Sequence, residues 1–424
     1  MNDSLRMGAQ VDAAAAALES RVIAWRRDFH QHPELSNREI RTAGAVAAHL
    51  RGLGLAVQTG VAHTGVVGLL DSGKPGPVIA LRADMDALPV AEQVDLPFAS
   101  KQRTTFNGQE VGVMHACGHD CHVAMLMGVA ELLAGMKAQL RGRIKFIFQP
   151  AEEGPPPGEE GGAALMIKQG VLENPKPDVI FGLHVFAGIE AGTIAYRPGP
   201  AMASSDRIRI TVNGRQTHAA LPWRGVDPIV ISSQIVLGLQ TIVSRQVDVT
   251  LEPAVVSIGA IKGGVRDNII PDAVEMLGTV RTFNEDMRSD IHNRIRNTVE
   301  LIAKSAGASA QVHFDNAYPV TVNDIPLTEC MVPTLERVAG NDKVFVGQKI
   351  TGYEDFSYYQ QKVPGFFYFI GITPRRIDQS GVDLKHAAPN HSPRFFVDES
   401  ALLLGVRSLA HLTLDYMASP PKAG

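Results

Sequence analysis

Cysteine is scarce: Cys117, Cys121 and Cys330 are the three in 424 residues. An odd, low count excludes a disulfide framework and fits a reducing, cytoplasmic compartment. Nowhere do about 18 apolar residues run uninterrupted, so no membrane span is expected. The segment from Met1 to Ser20 has an alanine run but not the basic stretch and apolar core of an export signal, although a signal already trimmed would leave no mark. Charge of one sign is also missing. Lys and Arg number 40 against 44 Asp and Glu, for a net charge of -4 with both signs mixed along the chain. No basic field therefore invites nucleic acid. Internal repeats and low-complexity tracts are absent too. What remains is a globular balance, 45% hydrophobic and 20% charged, on a length suited to about two domains.

Apolar periodicity predicts a helix over residues 12–27, with Ile23 and Trp25 on its apolar face, and another from Arg38 to Leu53 that ends at Gly52 and Gly54. Strand-like runs follow at Thr64–Leu70 and Val78–Ala83. The second is nearly all apolar, as a strand covered on both faces should be. Asp120 is placed to cap a helix reaching about Met136, in which Val123, Leu126, Met127, Ala130 and Leu133 keep helical spacing. Arg143–Gln149 (RIKFIFQ), stopped by Pro150, and Asp178–Val185 (DVIFGLHV) read as further strands. Strands alternating with helices imply an α/β domain with a mostly parallel sheet flanked by helices.

The pattern changes after the hinge-like Arg197-Pro198-Gly199-Pro200. Strand (Asp206–Val212), helix (Asp227–Arg245), strands (Ala254–Ile261 and Ala273–Phe283), helix (Glu285–Ala306) and strand (Ala310–Asp315) follow. This βαββαβ order is that of a ferredoxin-like sandwich. It is read as an inserted domain at 201–316, dividing a main domain into a first part at 1–200 and a second at 317–424. The second part holds a helix near 326–339, a strand Gly365–Ile372 and a last helix Ser400–Met417.

In open α/β sheets ligands bind beyond the carboxyl ends of the strands, and here several strands run into metal-type groups. Val78–Ala83 leads to Asp84 and Asp86, Arg143–Gln149 to Glu152 and Glu153, and Asp178–Leu183 to His184. Between the first two stands His115-Ala116-Cys117-Gly118-His119-Asp120, and near the C-terminus Pro389-Asn390-His391-Ser392. Singly, each is weak. A lone strand-end histidine is commonly a solvated one, paired glutamates commonly sit in a surface loop, and a lone cysteine is commonly an inert buried thiol. Their repetition at one sheet edge is the signal. The expected metal ligands are Cys117, His119, Glu153, His184 and His391, with Asp84 a weaker candidate for direct ligation. Thiolate and imidazole suit Zn(II), Co(II) or Ni(II), and carboxylate extends the choice to Mn(II). Five ligands exceed the needs of one tetrahedral ion. Two ions about 3.5–4 Å apart, sharing a bridging group and water, would use them all. Glu152 and Glu153 would then divide the labour, one on metal and the other as general base, if the chain there is extended and neighbouring side chains point apart.

Taken together, these residues resemble the M20 metallopeptidase and aminoacylase family, in particular its branch of hippurate hydrolases, N-acyl-amino-acid amidohydrolases and plant auxin-conjugate hydrolases. The matching stretches are Asp28–Ser36 (DFHQHPELS), Arg82–Pro89 (RADMDALP), His115–Asp120 (HACGHD), Phe148–Gly154 (FQPAEEG), Gly182–His184 (GLH), His218–Pro222 (HAALP), Asn268–Pro271 (NIIP), Gly352–Phe356 (GYEDF) and His391–Pro393 (HSP). They span nearly the whole chain in the family's order.

The resemblance implies a catalytic domain with a smaller lid that often mediates dimerisation, hence a homodimer or larger homo-oligomer. It implies Cys117 as bridging ligand, His119 and His184 on one ion, and Glu153 and His391 on the other. Glu152 would be the general base, and Asp84 would orient a ligand imidazole. His218 would stabilise the oxyanion, in one version across a dimer interface, and Asn268 would hold the substrate carboxylate or the oxyanion. His30 and His32 are read as structural, and Cys121 receives no role. The implied reaction is metal-dependent hydrolysis of the amide bond of small N-acyl amino acids, giving a carboxylic acid and an amino acid. Rival readings are a dipeptidase or carboxypeptidase with the same metals and a catalytically silent metal- or ligand-binding protein. A purely structural zinc protein would want closed cysteine-rich sites.

Overall fold

The computed structural model describes residues 3–374 and 388–419. The chain divides into two compact units. The larger is drawn from residues up to Gly199, from Asn323–Gln348 and from Tyr358 on; the smaller comprises Pro200–Val322 and Lys349–Ser357.

The larger unit is built on an eight-stranded sheet. In spatial order its strands are Ala56–Val61, Gly65–Asp71, Arg143–Gln149, Val78–Asp84, Val179–Glu190, Gly365–Thr373, Ile194–Tyr196 and Val344–Val346. The middle four run parallel. They are also the most continuously buried: every position from Ile79 to Asp84 and from Gly365 to Thr373 is buried, as both-face coverage requires. Toward the margins the sheet becomes mixed. The turn from Ala62 to Thr64 is too short for a crossover, so Gly65–Asp71 folds back antiparallel on Ala56–Val61 and then pairs antiparallel with Arg143–Gln149.

Helices Ile40–Gly52, His119–Gly135, Ala401–Ala418 and Ile325–Ala339 neighbour one another in that order as a layer on the sheet. Asp3–Gln31 lies against the second and third of them. That first helix extends well beyond the expected 12–27, and its run Ala13–Ala17 consists of strong helix formers. His119–Gly135 is buried on nearly every side, from His119 through Val129 and Ala130 to Leu133, so it is a core helix and holds its N-terminal residues rigidly.

In the smaller unit an antiparallel sheet has the order Ala254–Gly263, Ala273–Thr282, Ser205–Asn213, Ser309–Tyr318. Helices Pro228–Thr241 and Glu285–Ser305 pack on it in βαββαβ connectivity. Along Ser205–Asn213, buried Ile208, Ile210 and Val212 alternate with exposed Arg207 and Arg209. The inward set meets Ile231, Ile235, Leu239, Ile291, Ile295 and Val299. Both helices are capped: Asp227 Oδ1 accepts the Ile229 N–H at 2.8 Å and Asn284 Oδ1 the Met287 N–H at 2.8 Å. Asp206, at the head of the central strand, is buried and takes a two-pronged ion pair from Arg288, at 2.9 Å from Nε and 2.8 Å from Nη2.

Candidate metal centre

Strand ends and loops of the larger unit bring the metal-type residues together. Val78–Asp84 delivers Asp84, with Asp86 just beyond it. After Arg143–Gln149 the chain turns at Ala151 (φ 55°), so that the N–H groups of Glu152 and Glu153 both donate to Asp86, at 3.1 Å each. The glutamate pair thus lies in a turn, where the sequence suggested extended chain. Their side chains diverge nonetheless: Glu152 Oε2 stands 3.9 Å from His119 Nε2, and Glu153 Oε1 stands 3.1 Å from His391 Nε2. Cys117 and His119 flank Gly118 (φ 94°), where a β-carbon would come within 2.3 Å of Val185 Cγ2. Only glycine lets this loop approach the strand that carries His184.

Cys117 Sγ lies 3.3 Å from His184 Nε2 and 3.2 Å from His391 Nε2. The ligand atoms of Cys117, His119 and His184 are all within 4.8 Å of one another, as are those of Cys117, Glu153 and His391. Atoms sharing one tetrahedral ion at about 2.0–2.3 Å stand roughly 3.3–3.8 Å apart, so both groups have the right scale, and Cys117 belongs to each. The imidazoles are oriented to match. His119 Nδ1 donates to the Asp86 carbonyl at 2.8 Å, while its buried Nε2 has no hydrogen-bond partner among the described residues. His184 Nδ1 donates to the Val185 carbonyl at 2.7 Å, which leaves its Nε2 lone pair facing Cys117. A ring proton fixed on a carbonyl and a lone pair aimed inward is how surrounding groups prepare a histidine for a metal. The sulfur, nitrogen and oxygen donors fit a borderline divalent ion such as Zn(II) or Co(II).

Electrostatics point the same way. Burial disfavours the His119 imidazolium, yet the carboxylates of Asp84 and Asp86 push its pKa up to about 10. Burial, with Glu153 and Glu152 nearby, holds the Cys117 thiol well above the ordinary thiol range. His184 is driven well down by burial and by His122. Such a concentration of carboxylates favours positive charge, and a divalent cation would reverse the pressure on both His119 and Cys117.

Three supporting residues received no role from the sequence. Asp86, noted there only as a metal-type group at a strand end, is one. His122 is another: its Nδ1–H donates to Asp84 Oδ1 at 2.5 Å and its Nε2 accepts the Val185 N–H at 2.9 Å. Both nitrogens are committed, so His122 is a prop, although Asp84, His119 and His122 also cluster at ligand-like distances. The available signal was its place one turn after His119 on an otherwise apolar helix. Asp84 therefore meets His122 at short range and His119 Nε2 only at 3.8 Å, while Asp86 Oδ1 lies 3.3 Å from His119 Nδ1. The third is Asn390, whose side chain bonds to the backbone of two ligand-bearing segments. His30 lies apart from the cluster of ligand atoms, between Asp120 Oδ2 at 2.8 Å and Glu92 Oε1 at 3.0 Å.

His218 and Asn268 belong to the smaller unit. There Thr217–His218 pairs with Ile269–Ile270, and the Ala219 N–H donates to the Asn268 carbonyl at 3.0 Å. The Ala220 N–H donates to His218 Nδ1 at 3.0 Å, so the exposed ring carries its proton on Nε2. Tyr353 of the same unit stacks on Tyr318 with ring centroids 4.4 Å apart.

An α/β unit with a thiol, imidazoles and glutamates gathered at its strand ends, accompanied by a ferredoxin-like second unit, defines a dinuclear metallohydrolase architecture. The chain belongs to the peptidase family M20/M25/M40, whose model matches residues 80–415. It is 43% identical over 399 residues to thermostable carboxypeptidase 2 of Saccharolobus solfataricus, covering 94% of this chain and 95% of that one. It is 39% identical over 402 residues to the N-acetylcysteine deacetylase of Bacillus subtilis, covering 95% and 98%. Among solved structures, a Bacillus subtilis dinuclear metal binding peptidase of the M20 family superposes with a TM-score of 0.77 at 35% identity, covering 95% of this chain and 99% of that one.

Proposed function

We propose that this protein hydrolyses the amide bond of N-acyl amino acids, releasing a carboxylic acid and an amino acid, with Cys117, His119, Glu153, His184 and His391 as metal ligands. One observation carries the reading: beside Glu153, which reaches His391, stands a second carboxylate, Glu152, directed toward His119 and held by the same Asp86. A protein that only binds metal has no need of a base at that position. Family membership and the deacetylase relative support the substrate class. The carboxypeptidase relative supports a second reading, peptide hydrolysis by the same residues.

Two divalent ions, Zn(II) or Mn(II) with Co(II) and Ni(II) as alternatives, would supply an acidified water and a polarised carbonyl when bound. Cys117, between His184 and His391, is the proposed shared ligand. His119 and His184 are assigned to one ion, and Glu153 and His391 to the other. Glu152 takes a proton from the attacking water and passes it to the departing nitrogen. Asp84 acts at one remove, steadying the ligand cluster through His122. The Nε2–H of His218 is assigned to the negative oxygen that develops on the carbonyl, and Asn268 to the substrate carboxylate. Assembly as a homodimer is part of the same proposal and is tested by light scattering.

The deciding experiment is Glu152→Gln. We expect two bound ions by elemental analysis and turnover of N-acetyl amino acids reduced roughly 10²–10⁴-fold. Turnover near that of the parent would remove Glu152 from its role. Comparing N-acetyl amino acids with unblocked dipeptides separates the two substrate readings.

A further inference from the structure

We infer that Asn390 is a positioning residue for the metal pair: its one amide sets the spacing of the three chain segments that carry Cys117, His184 and His391. The inference rests on the metal-binding reading above. Asn390 Nδ2 donates to the Cys117 carbonyl at 3.0 Å and to the Val185 carbonyl at 3.1 Å, and its Oδ1 accepts the Ala187 N–H at 3.1 Å. These partners lie 273, 205 and 203 residues away in sequence. A primary amide offers two N–H donors and a carbonyl acceptor in one rigid fork, and here both ends are engaged. Aspartate would set an oxygen against two carbonyls, and alanine would reach none of the three.

The next residue explains why this matters. His391 has φ 72°, a left-handed conformation that a β-carbon resists. Its N–H is tied to the Ala116 carbonyl at 2.7 Å. A non-glycine residue stays in that region only where its surroundings over-determine it. Its imidazole, with 54% of the side chain exposed, has little packing to steady it. The 3.2 Å to Cys117 Sγ and 3.1 Å to Glu153 Oε1 are therefore set by the backbone, and Asn390 anchors that backbone to the Cys117 loop and the His184 strand at once.

The test uses the full chain stripped of metal and titrated with Zn(II) against a chromophoric chelator, with Co(II) absorption as a second readout. The parent protein should take up two ions. Asn390→Asp and Asn390→Ala should weaken one of them about 10–100-fold, the usual cost of losing a group that orients a ligand. The ion assigned to Glu153 and His391 should be the one most affected; the other, whose His184 strand is also held by its pairing with Gly365–Thr373, should be weakened less, the Co(II) bands should change, and the melting temperature of the metal-free form should stay close to that of the parent. Two ions bound with unchanged affinity and an unchanged Co(II) spectrum in both variants would overturn the inference alone. So would equal weakening of both ions together with a less stable metal-free form, which marks a general folding role. A parent protein that takes up no ions would overturn the metal reading and this inference with it.

Discussion

Replacing Asp86 with asparagine should damage both the stability and the turnover of this protein. Asp86 is buried, and its two oxygens accept three hydrogen bonds, from the N–H groups of Glu152 and Glu153 at 3.1 Å and from the Ser36 hydroxyl at 2.7 Å. Asparagine keeps one acceptor oxygen, and its NH₂ must confront one of the two backbone donors. The loss of one charge-assisted hydrogen bond costs about 1.5–3 kcal/mol, and the donor left unsatisfied about 1–3 kcal/mol more. A relief opposes this. Glu39 is pushed up to about 8 by its own burial and then by the negative charge of Asp86, and neutralising Asp86 eases that repulsion. The net expectation is a destabilisation of about 2–4 kcal/mol. Because the same change shifts the Glu152 amide, a displacement of about 1 Å at the base would lower kcat roughly 10²-fold. Urea unfolding of the metal-free proteins and steady-state kinetics on an N-acetyl amino acid measure the two effects. A variant within about 0.5 kcal/mol of the parent, the range of an ordinary surface change, and with full kcat would refute the reasoning.

Gly118→Ala must carry a β-carbon at φ 94° and press it onto Val185. Strain at that φ costs about 1–2 kcal/mol and overpacking about 1–3 kcal/mol, and Gly118→Ala/Val185→Ala should recover part of the lost melting temperature; no loss in the single variant refutes the close approach. Uptake of metal must displace protons from His119 and Cys117, whose pKa values lie high in the metal-free protein. Affinity should therefore climb with pH by up to roughly tenfold per unit for each proton released, and calorimetry in buffers of different ionisation enthalpy counts those protons; zero released would contradict the assignment. In the smaller unit, burial disfavours the Asp206 carboxylate, but His292 and Arg288 hold its pKa below the ordinary value. A depressed pKa stabilises the fold fully above the unfolded-state value of about 3.9, and the contribution fades as pH falls through the folded-state value. Arg288 keeps its pair with Glu285, so Asp206→Asn should cost about 1.5–3 kcal/mol at neutral pH by loss of charge-assisted hydrogen bonding and should flatten the acid limb of a stability–pH curve; an unchanged limb would place the titration elsewhere.

Much of the fold could be read from apolar runs. Val78–Asp84 and Gly365–Thr373 sit at the heart of the sheet because their runs Val78–Leu81 and Gly365–Ile372 are apolar or aromatic and bury on both faces, and helices capped at Asp227 and Asn284 begin where their caps stand. Short marginal strands were less legible. Ile194–Tyr196 and Val344–Val346 have three residues each, too few to show a period, and they take their place from their neighbours in the sheet. At the site, acids and imidazoles at strand ends were conspicuous because such residues are out of place on apolar strands. The supporting contacts of Asp86, His122 and Asn390 were not, because each reaches backbone groups of residues distant in the chain, and a contact of that kind leaves no spacing to detect. The turn at Ala151 was hidden for a related reason: a positive φ at alanine is imposed by hydrogen bonds, here to Glu39 and Asp86, and not by the residue's own preference.

The joining of distant chain segments at Asn390 has a consequence for biosynthesis. That residue follows Val185 by 205 positions, and at translation rates of roughly 5–20 residues per second the interval is about 10–40 s. During it Cys117, His119 and His184 have been made and His391 has not, and for most of it the strand Gly365–Thr373 that pairs with the His184 strand is also still to come. Of the five proposed ligands His391 is thus the last to be made, and the pair of sites is expected to be complete only once the segment that carries it has joined the other two.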